Sequence, residues 1–268
     1  MSRTMCLAAM FVATFAASGF SQSSRGQGAG PPDWCNQHWN SRASYCEERD
    51  ATIAVSGSLE IDGGRNGGIR VHGSDRNDAF VRARVAGYGS TEAEARRIAS
   101  QVRIEAAGGI LRAEGPERNE DSGWSVSFEV EVPRTLQLKL TTHNGGISLD
   151  DFQGAAEFAA RNGGVTLRNV SGDIRGATRN GGLNITLEGD RWNGPGLDVQ
   201  TRNGGIRILV GERYSAQLET ETINGRVRIG FPITVQGDLG RHVVTTLGSG
   251  GARLRAVTTN GGVTIDRR

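Results

Sequence analysis

A chain of 268 residues, 36% of them hydrophobic, can bury a sizeable core as one large all-β domain or two small ones. Glycine reaches 40 residues, but no Gly-X-Y period runs through them, which excludes a collagen-like rod. A formal net charge of +2 gives no indication of a nucleic-acid partner, and aromatics at 6% leave a thin core to be filled by Val, Ile and Leu.

The chain opens with Arg3 and a short apolar run, Cys6 to Ala17, followed by small residues at Ala17, Ser18, Gly19 and Ser21. This layout predicts a signal peptide over residues 1–21, with cleavage near 19–22. The run is shorter than the about 20 residues that span a bilayer, so no transmembrane anchor is expected. Cys6 falls inside the run, too early for a lipid-bearing cysteine.

Residues 22–50 are expected to form a flexible segment, because 22–33 carries too little apolar content to fold. Cys35 and Cys46 lie in this segment, and an even pair in an exported chain predicts a disulfide-closed loop holding Trp34, His38, Trp39 and Tyr45. The alternative is metal binding by Cys35, His38 and Cys46. It offers three ligands with no fourth in view, and no metal or cofactor is expected.

Residues 51–133 form a section without repeats. Ala51–Val55 and Ser58–Ile61 are predicted strands leading to Asn66-Gly67-Gly68. Ala79–Val85 alternates in period two. Ser90 or Thr91 is positioned to cap a helix running to about Ala99, with Glu92 and Glu94 at its positive end and Arg96 and Arg97 toward the other. Val102–Ala106, Gly109–Ala113 and Trp124–Val132 are three further predicted strands, the last ended by Pro133.

Residues 134–267 repeat one phrase. Asn-Gly-Gly followed by two alternating aliphatic residues, first met at Asn66, returns at Asn144, Asn162, Asn180, Asn203 and Asn260, and once as Asn224-Gly225-Arg226. The apolar pairs are Ile69/Val71, Ile147/Leu149, Val165/Leu167, Leu183/Ile185, Ile206/Ile208, Val227/Ile229 and Val263/Ile265, each enclosing a polar residue. That is the pattern of a strand with one buried face. Asn and Gly accept positive φ cheaply, so each copy is expected to begin with a sharp turn. Thr142, Thr178, Thr201, Thr222 and Thr258 stand two residues before their asparagines. Gly154 and Gly172 recur ten residues after theirs, behind Phe152 and Val170.

The spacings are 18, 18, 23, 21 and 36 residues from Asn144 to Asn260. Periods of this size indicate a repeat architecture. Two arrangements fit: a β-solenoid whose equivalent strands stack about 4.8 Å apart, or an antiparallel meander with Asn-Gly hairpin turns. The recurrence of the same two apolar positions, the second glycine, and insertions falling outside the phrase favour a single-stranded β-solenoid, β-helix-like, with 51–133 as an N-terminal β-rich cap carrying one α-helix. One unit cannot stand alone, so the array is stabilised by stacking. Asp266, Arg267 and Arg268 are expected to protect the C-terminal edge from further pairing.

These phrases, the strand Trp124–Pro133, and Gly248-Ser249-Gly250-Gly251-Ala252-Arg253-Leu254 followed by Thr258-Thr259-Asn260-Gly261-Gly262 resemble the bacterial putative-adhesin family of β-strand-repeat proteins. The resemblance covers roughly residues 51–267. It implies an exported, β-helix-like envelope protein, periplasmic or extracellular, and supplies no catalytic residues.

Candidate chemistry is sparse. A glycan-cleaving β-helix would need two carboxylates on one face. Asp150 and Asp151 are adjacent and point to opposite faces. Glu219 and Glu221 share a face but lack an evident partner. His38, His72, His143 and His242 show no metal spacing. The recurrent charge is Arg65, Arg161, Arg179 and Arg202, each directly before its asparagine. In a solenoid, Arg161, Arg179 and Arg202 would stack into an anion-binding stripe for acidic envelope glycans or lipid headgroups, unless their side chains fan into solvent or pair with Glu157, Asp173 and Asp198. The function expected is a non-catalytic envelope scaffold, an adhesin or structural binding element. Its partner would be an envelope glycan or other surface polymer, or a protein. The competing classes are a polysaccharide-active enzyme and an envelope-stress regulator.

Overall fold

In a computed structural model, which describes residues 20–22, 43–232 and 240–268, every Asn-Gly phrase separates a strand of one sheet from a strand of another. The chain begins with β1 (Ser21–Gln22), β2 (Ala43–Ile53), β3 (Ser58–Asp62), β4 (Ile69–Ser74) and β5 (Ala79–Gly89). Helix α1 (Glu92–Gln101), β6 (Arg103–Ala107), β7 (Ile110–Glu114) and β8 (Gly123–Pro133) complete the non-repetitive section. Then come β9 (Gln137–Thr142), β10 (Ile147–Asp150), β11 (Ala155–Asn162), β12 (Val165–Arg168), β13 (Asp173–Asn180), β14 (Leu183–Thr186), β15 (Gly196–Asn203) and β16 (Ile206–Val210). The last five are β17 (Ala216–Asn224), β18 (Val227–Ile229), β19 (His242–Leu247), β20 (Arg253–Asn260) and β21 (Val263–Arg267).

One sheet runs β1-β2-β5-β8-β4-β10-β12-β14-β16-β21-β18 and the other β19-β17-β20-β15-β13-β11-β9-β3-β7-β6. Equivalent strands of successive units pair parallel and in register: Ile147 sits between Ile69 and Val165, and Leu149 between Val71 and Leu167. The antiparallel meander is not the arrangement adopted. Each unit buries its two aliphatic residues against inward residues of the opposite sheet, among them Leu138, Leu140, Ala156, Phe158, Ile174, Leu197, Val199 and Leu254, except that Val227 and Ile229 of the outermost unit are half-buried. Side-chain volumes complement one another along this interior. Gly176 lies opposite Phe158, and a Cβ on Gly176 would meet the Phe158 ring at 2.4 Å.

The non-repetitive section closes one end. Strands β2, β5 and β8 pair antiparallel, and β8 joins the stack by pairing parallel with β4. Thr91 caps α1, its Oγ1 accepting from the Glu94 amide at 3.2 Å, while the Glu94 carboxylate accepts from the Ser90 amide at 2.9 Å. The helix buries Ala95, Ile98 and Ala99. It sits so close to β5 that a Cβ on Gly87 would fall 2.2 Å from the Ala95 carbonyl oxygen. Arg49 of β2 is buried beneath the helix end and donates to the carbonyls of Ala99 and Val102 at 2.8 and 2.5 Å, and to Glu47. The last turn of α1 has no basic residue of its own, so β2 supplies the cation that its negative end favours. Arg96 lies over the Tyr45 ring at 4.3 Å.

The fold departs from the sequence expectations in three places. Residues 43–50, assigned to a flexible segment spanning 22–50, form part of β2 and pair along β5, because Cys46 to Ile53 face a partner strand of matching length. The C-terminal strand is not an edge. The β20/β21 unit inserts between the β15/β16 and β17/β18 units, which leaves β18 and the antiparallel β19 at the outer positions. Among the described residues, the spacing of 36 residues contains β18, β19 and β20. The glycine turns also have a different cause. Positive φ at non-glycine residues is confined, among the described residues, to Asp151 and Asn169, at the opposite corner. What the phrase requires is close approach. A Cβ on Gly145, Gly163, Gly181, Gly204 or Gly261 would fall 1.9–2.2 Å from the carbonyl oxygen of the equivalent glycine one unit back.

The Cys35–Cys46 pairing and the Cys35, His38 and Cys46 metal alternative fall partly on residues outside the described ones, as does most of the signal segment. Among the described residues no helix is long and apolar enough to cross a membrane, and no cluster of three His, Cys, Asp or Glu could hold a metal ion.

Candidate functional site

The phrase builds one corner of the stack from three parallel rows. The innermost is a threonine row. Thr142, Thr178, Thr201, Thr258 and Thr222 each donate to the carbonyl of the first phrase glycine in the unit beneath, Gly67, Gly163, Gly181, Gly204 and Gly261, at 2.6–2.8 Å. These buried hydroxyls satisfy carbonyls that the glycine crowding brings together. Ala160 occupies this position in the Asn162 unit and has no hydroxyl to offer.

The outer row is an asparagine ladder. Nδ2 of Asn144 donates to Oδ1 of Asn66 at 2.9 Å, and Asn162, Asn180, Asn203 and Asn260 each donate to the preceding member at 2.7 Å. Asn224 donates to Asn260 at 2.8 Å, which puts it last in space although not in sequence. All seven asparagines belong to one continuous chain of amides. The second glycines open toward the following unit, where an added Cβ would lie 3.2–3.5 Å from the nearest carbonyl oxygen. Arg226 replaces this glycine only in the β17/β18 unit, which has no further unit stacked on it.

Between these rows lie the cations. The register that aligns Thr178 with Ala160 and Thr201 and that joins the asparagines places Arg161, Arg179 and Arg202 in one line, about 4.8 Å apart along the stack. All three are exposed. The pairing expected with Glu157, Asp173 and Asp198 is not formed. Asp173 pairs with Arg175 at 2.8 Å and Asp198 with Arg255 at 2.8 Å, an interaction that raises the Arg255 pKa. Among the described residues no ion pair reaches Arg161, Arg179 or Arg202.

In the sequence His143 stands as one of four scattered histidines, yet the same register sets it in this line, the Asn162 amide donating to its carbonyl at 2.7 Å. The signal was present, since His143 directly precedes Asn144, but a search for recurrent arginine passes over it. Arg65 belongs to a unit with an extra residue at its turn. It joins His143, Arg161 and Arg179 around a shallow depression of about 520 Å³, floored by Gly64, Thr141, Ala159 and Ala160 and bordered by Asp62.

Three of the four carboxylate candidates, Asp150, Asp151 and Glu219, are engaged by neighbouring side chains. Asp150 pairs with Arg168 at 2.6 Å. Asp151 accepts from Asn169 and lies 3.4 Å from His72. Glu219 is surrounded by Arg253, Arg255 and His242 at 2.5, 3.5 and 3.9 Å. These four candidates therefore give no two free carboxylates facing a common cleft.

Solved structures to which this chain is similar include a putative cell adhesion protein from Clostridium sporogenes, 10% identical with a TM-score of 0.42, covering 82% of this chain and 100% of that chain. A putative adhesin from Bacteroides fragilis is 11% identical with a TM-score of 0.31, covering 84% and 97%. A putative lipid binding protein from Parabacteroides distasonis is 13% identical with a TM-score of 0.31, covering 83% and 96%. No curated protein matches the chain. The profile of the family described as Toastrack DUF4097 matches residues 100–266. That is more than half of the sequence, and the chain belongs to the Toastrack DUF4097 family.

Proposed function

We propose that this protein is an exported, non-catalytic binding scaffold of the cell envelope, a β-solenoid-like rod that holds an acidic surface polymer along its cation row. The cap is residues 51–133, extended by β2, and the rod is 134–267. The carrying observation is that Arg161, Arg179 and Arg202 share one register position, are exposed, and find no acid among the described residues. Stacked like charges repel by about 1 kcal/mol or less per pair in water, a cost that a polyanion would reverse. Rigidity supports the same reading: glycine contacts and the asparagine ladder fix the spacing, so the charges are arranged before a ligand arrives. Asp173 and Asp198 on neighbouring positions are occupied by Arg175 and Arg255, which favours binding over cleavage.

The test is retention on an immobilised anionic polysaccharide at low salt, with the triple variant Arg161→Glu, Arg179→Glu, Arg202→Glu beside the parent chain. The variant should elute at markedly lower salt with an unchanged melting temperature. Equal retention of the two proteins removes the row from the binding site.

A further inference from the structure

The cation row does not stand on a featureless face. Along β9, β11 and β13 the residues two positions before it are Thr141, Ala159 and Ala177, all outward-facing and small, and in β15 the strip ends at the exposed, larger Gln200. Two positions further back the outward residues are Lys139, Glu157 and Arg175, and these are larger and charged. Lys139 pairs with Glu60 at 3.0 Å and Arg175 with Asp173 at 2.8 Å. On the other side of the row stand the asparagines, whose amides already bond one another. The outer face of this sheet thus has a lengthwise strip of small side chains. One flank carries unpaired cations at a fixed interval, and on the other Lys139 and Arg175 are held by Glu60 and Asp173 beside the exposed Glu157.

Resting on the reading above, we propose that the ligand is a single linear chain of acidic sugars lying lengthwise on the Thr141, Ala159 and Ala177 strip, its successive carboxylates meeting His143, Arg161, Arg179 and Arg202. A polymer with one carboxylate per ring presents charge at an interval comparable with the about 4.8 Å between strands. Four units therefore set a footprint of about 14 Å from His143 to Arg202, and Arg65 extends it at one end. The strip has no large apolar side chain to insert into a bilayer, and the cations form a line rather than a disc. Both features favour a strand-like polyanion over a lipid surface. Bonds along the chain act together, so affinity accumulates with each ring until the row is filled.

The experiment measures binding of the mature chain to oligouronates of two to six rings, to the long polymer, and to vesicles of phosphatidylglycerol and phosphatidylcholine. Each added ring up to the fourth should raise affinity by about threefold, the effect of one exposed ion pair, and longer oligomers should add little beyond Arg65. Ala159→Trp obstructs the strip while leaving all the cations in place, and it should abolish oligomer binding without moving the melting temperature. If the polymer binds but length has no effect, or if Ala159→Trp binds as the parent does, the lengthwise placement is wrong while the scaffold reading stands. Tighter binding to vesicles than to the six-ring oligomer overturns the sugar assignment. Absence of any polymer binding overturns both.

Discussion

The two glycines of the repeated phrase do different work, and single substitutions separate them. A methyl on Gly163 would lie 1.9 Å from the Gly145 carbonyl oxygen, whereas one on Gly164 has its nearest neighbour at 3.4 Å. Gly163→Ala should therefore destabilise by at least about 2–3 kcal/mol, since two backbones must part. Gly164→Ala should change stability by under about 1 kcal/mol. Denaturant titration of the pair checks this, and equal effects would remove the close-approach account. The threonine row allows a prediction in the opposite direction. Ala160→Thr would place a hydroxyl toward the Gly145 carbonyl, as its neighbours do, and should stabilise by about 1 kcal/mol. Thr220 is fully buried in the inward row beside Ala256, and its hydroxyl has no partner. Thr220→Val should raise the melting temperature, because an unsatisfied buried hydroxyl costs about 1–3 kcal/mol.

At the scale of elements, the cap is joined to its helix through Arg49. The guanidinium satisfies two carbonyls at the end of α1 and is itself matched by Glu47, all within a buried region. Arg49→Met keeps much of the packing volume but removes the cation beside Glu47 and the donor to the Val102 carbonyl, while Ala99 keeps only the Val102 amide. A loss of about 3 kcal/mol is expected, the usual cost of breaking a buried pair from one side. Amide hydrogen exchange should show the loss first in α1 and β2, with the distant β13 to β16 unaffected. Uniform loss across all strands would mean that the cap and the stack unfold as one unit.

For the whole molecule, the order of units in space matters more than their order in sequence. The β20/β21 unit bridges β15/β16 to β17/β18, so Asn260 receives Asn224 and itself donates to Asn203. Removing residues 248–268 should leave a gap one strand wide in each sheet, with β17, β18 and β19 detached from the stack. Limited proteolysis of this truncated chain should cut within 211–247 while sparing 134–209. A stack built in strict sequence order would lose only its final unit and keep β17 protected.

The sequence alone determined the repeat, the strand polarity, the buried aliphatic pairs and the capped helix. Each depends on local backbone geometry and on period-two burial, and residues such as Thr91 and Ile147 carry those signals within a few positions. It also marked Arg161, Arg179 and Arg202 as equivalent, because equivalence within a repeat is a matter of spacing. Tertiary structure decided what spacing cannot contain. The insertion of β20/β21, the recruitment of β2 to the sheet and the Arg49 cap all depend on partners distant in the chain. Whether an exposed arginine is paired depends on which acids the neighbouring strands bring beside it. Asp173 pairs within its own strand with Arg175, whereas Asp198 precedes Arg202 closely in β15 and only the register of β15 and β20 gives it to Arg255 and leaves the cation row free.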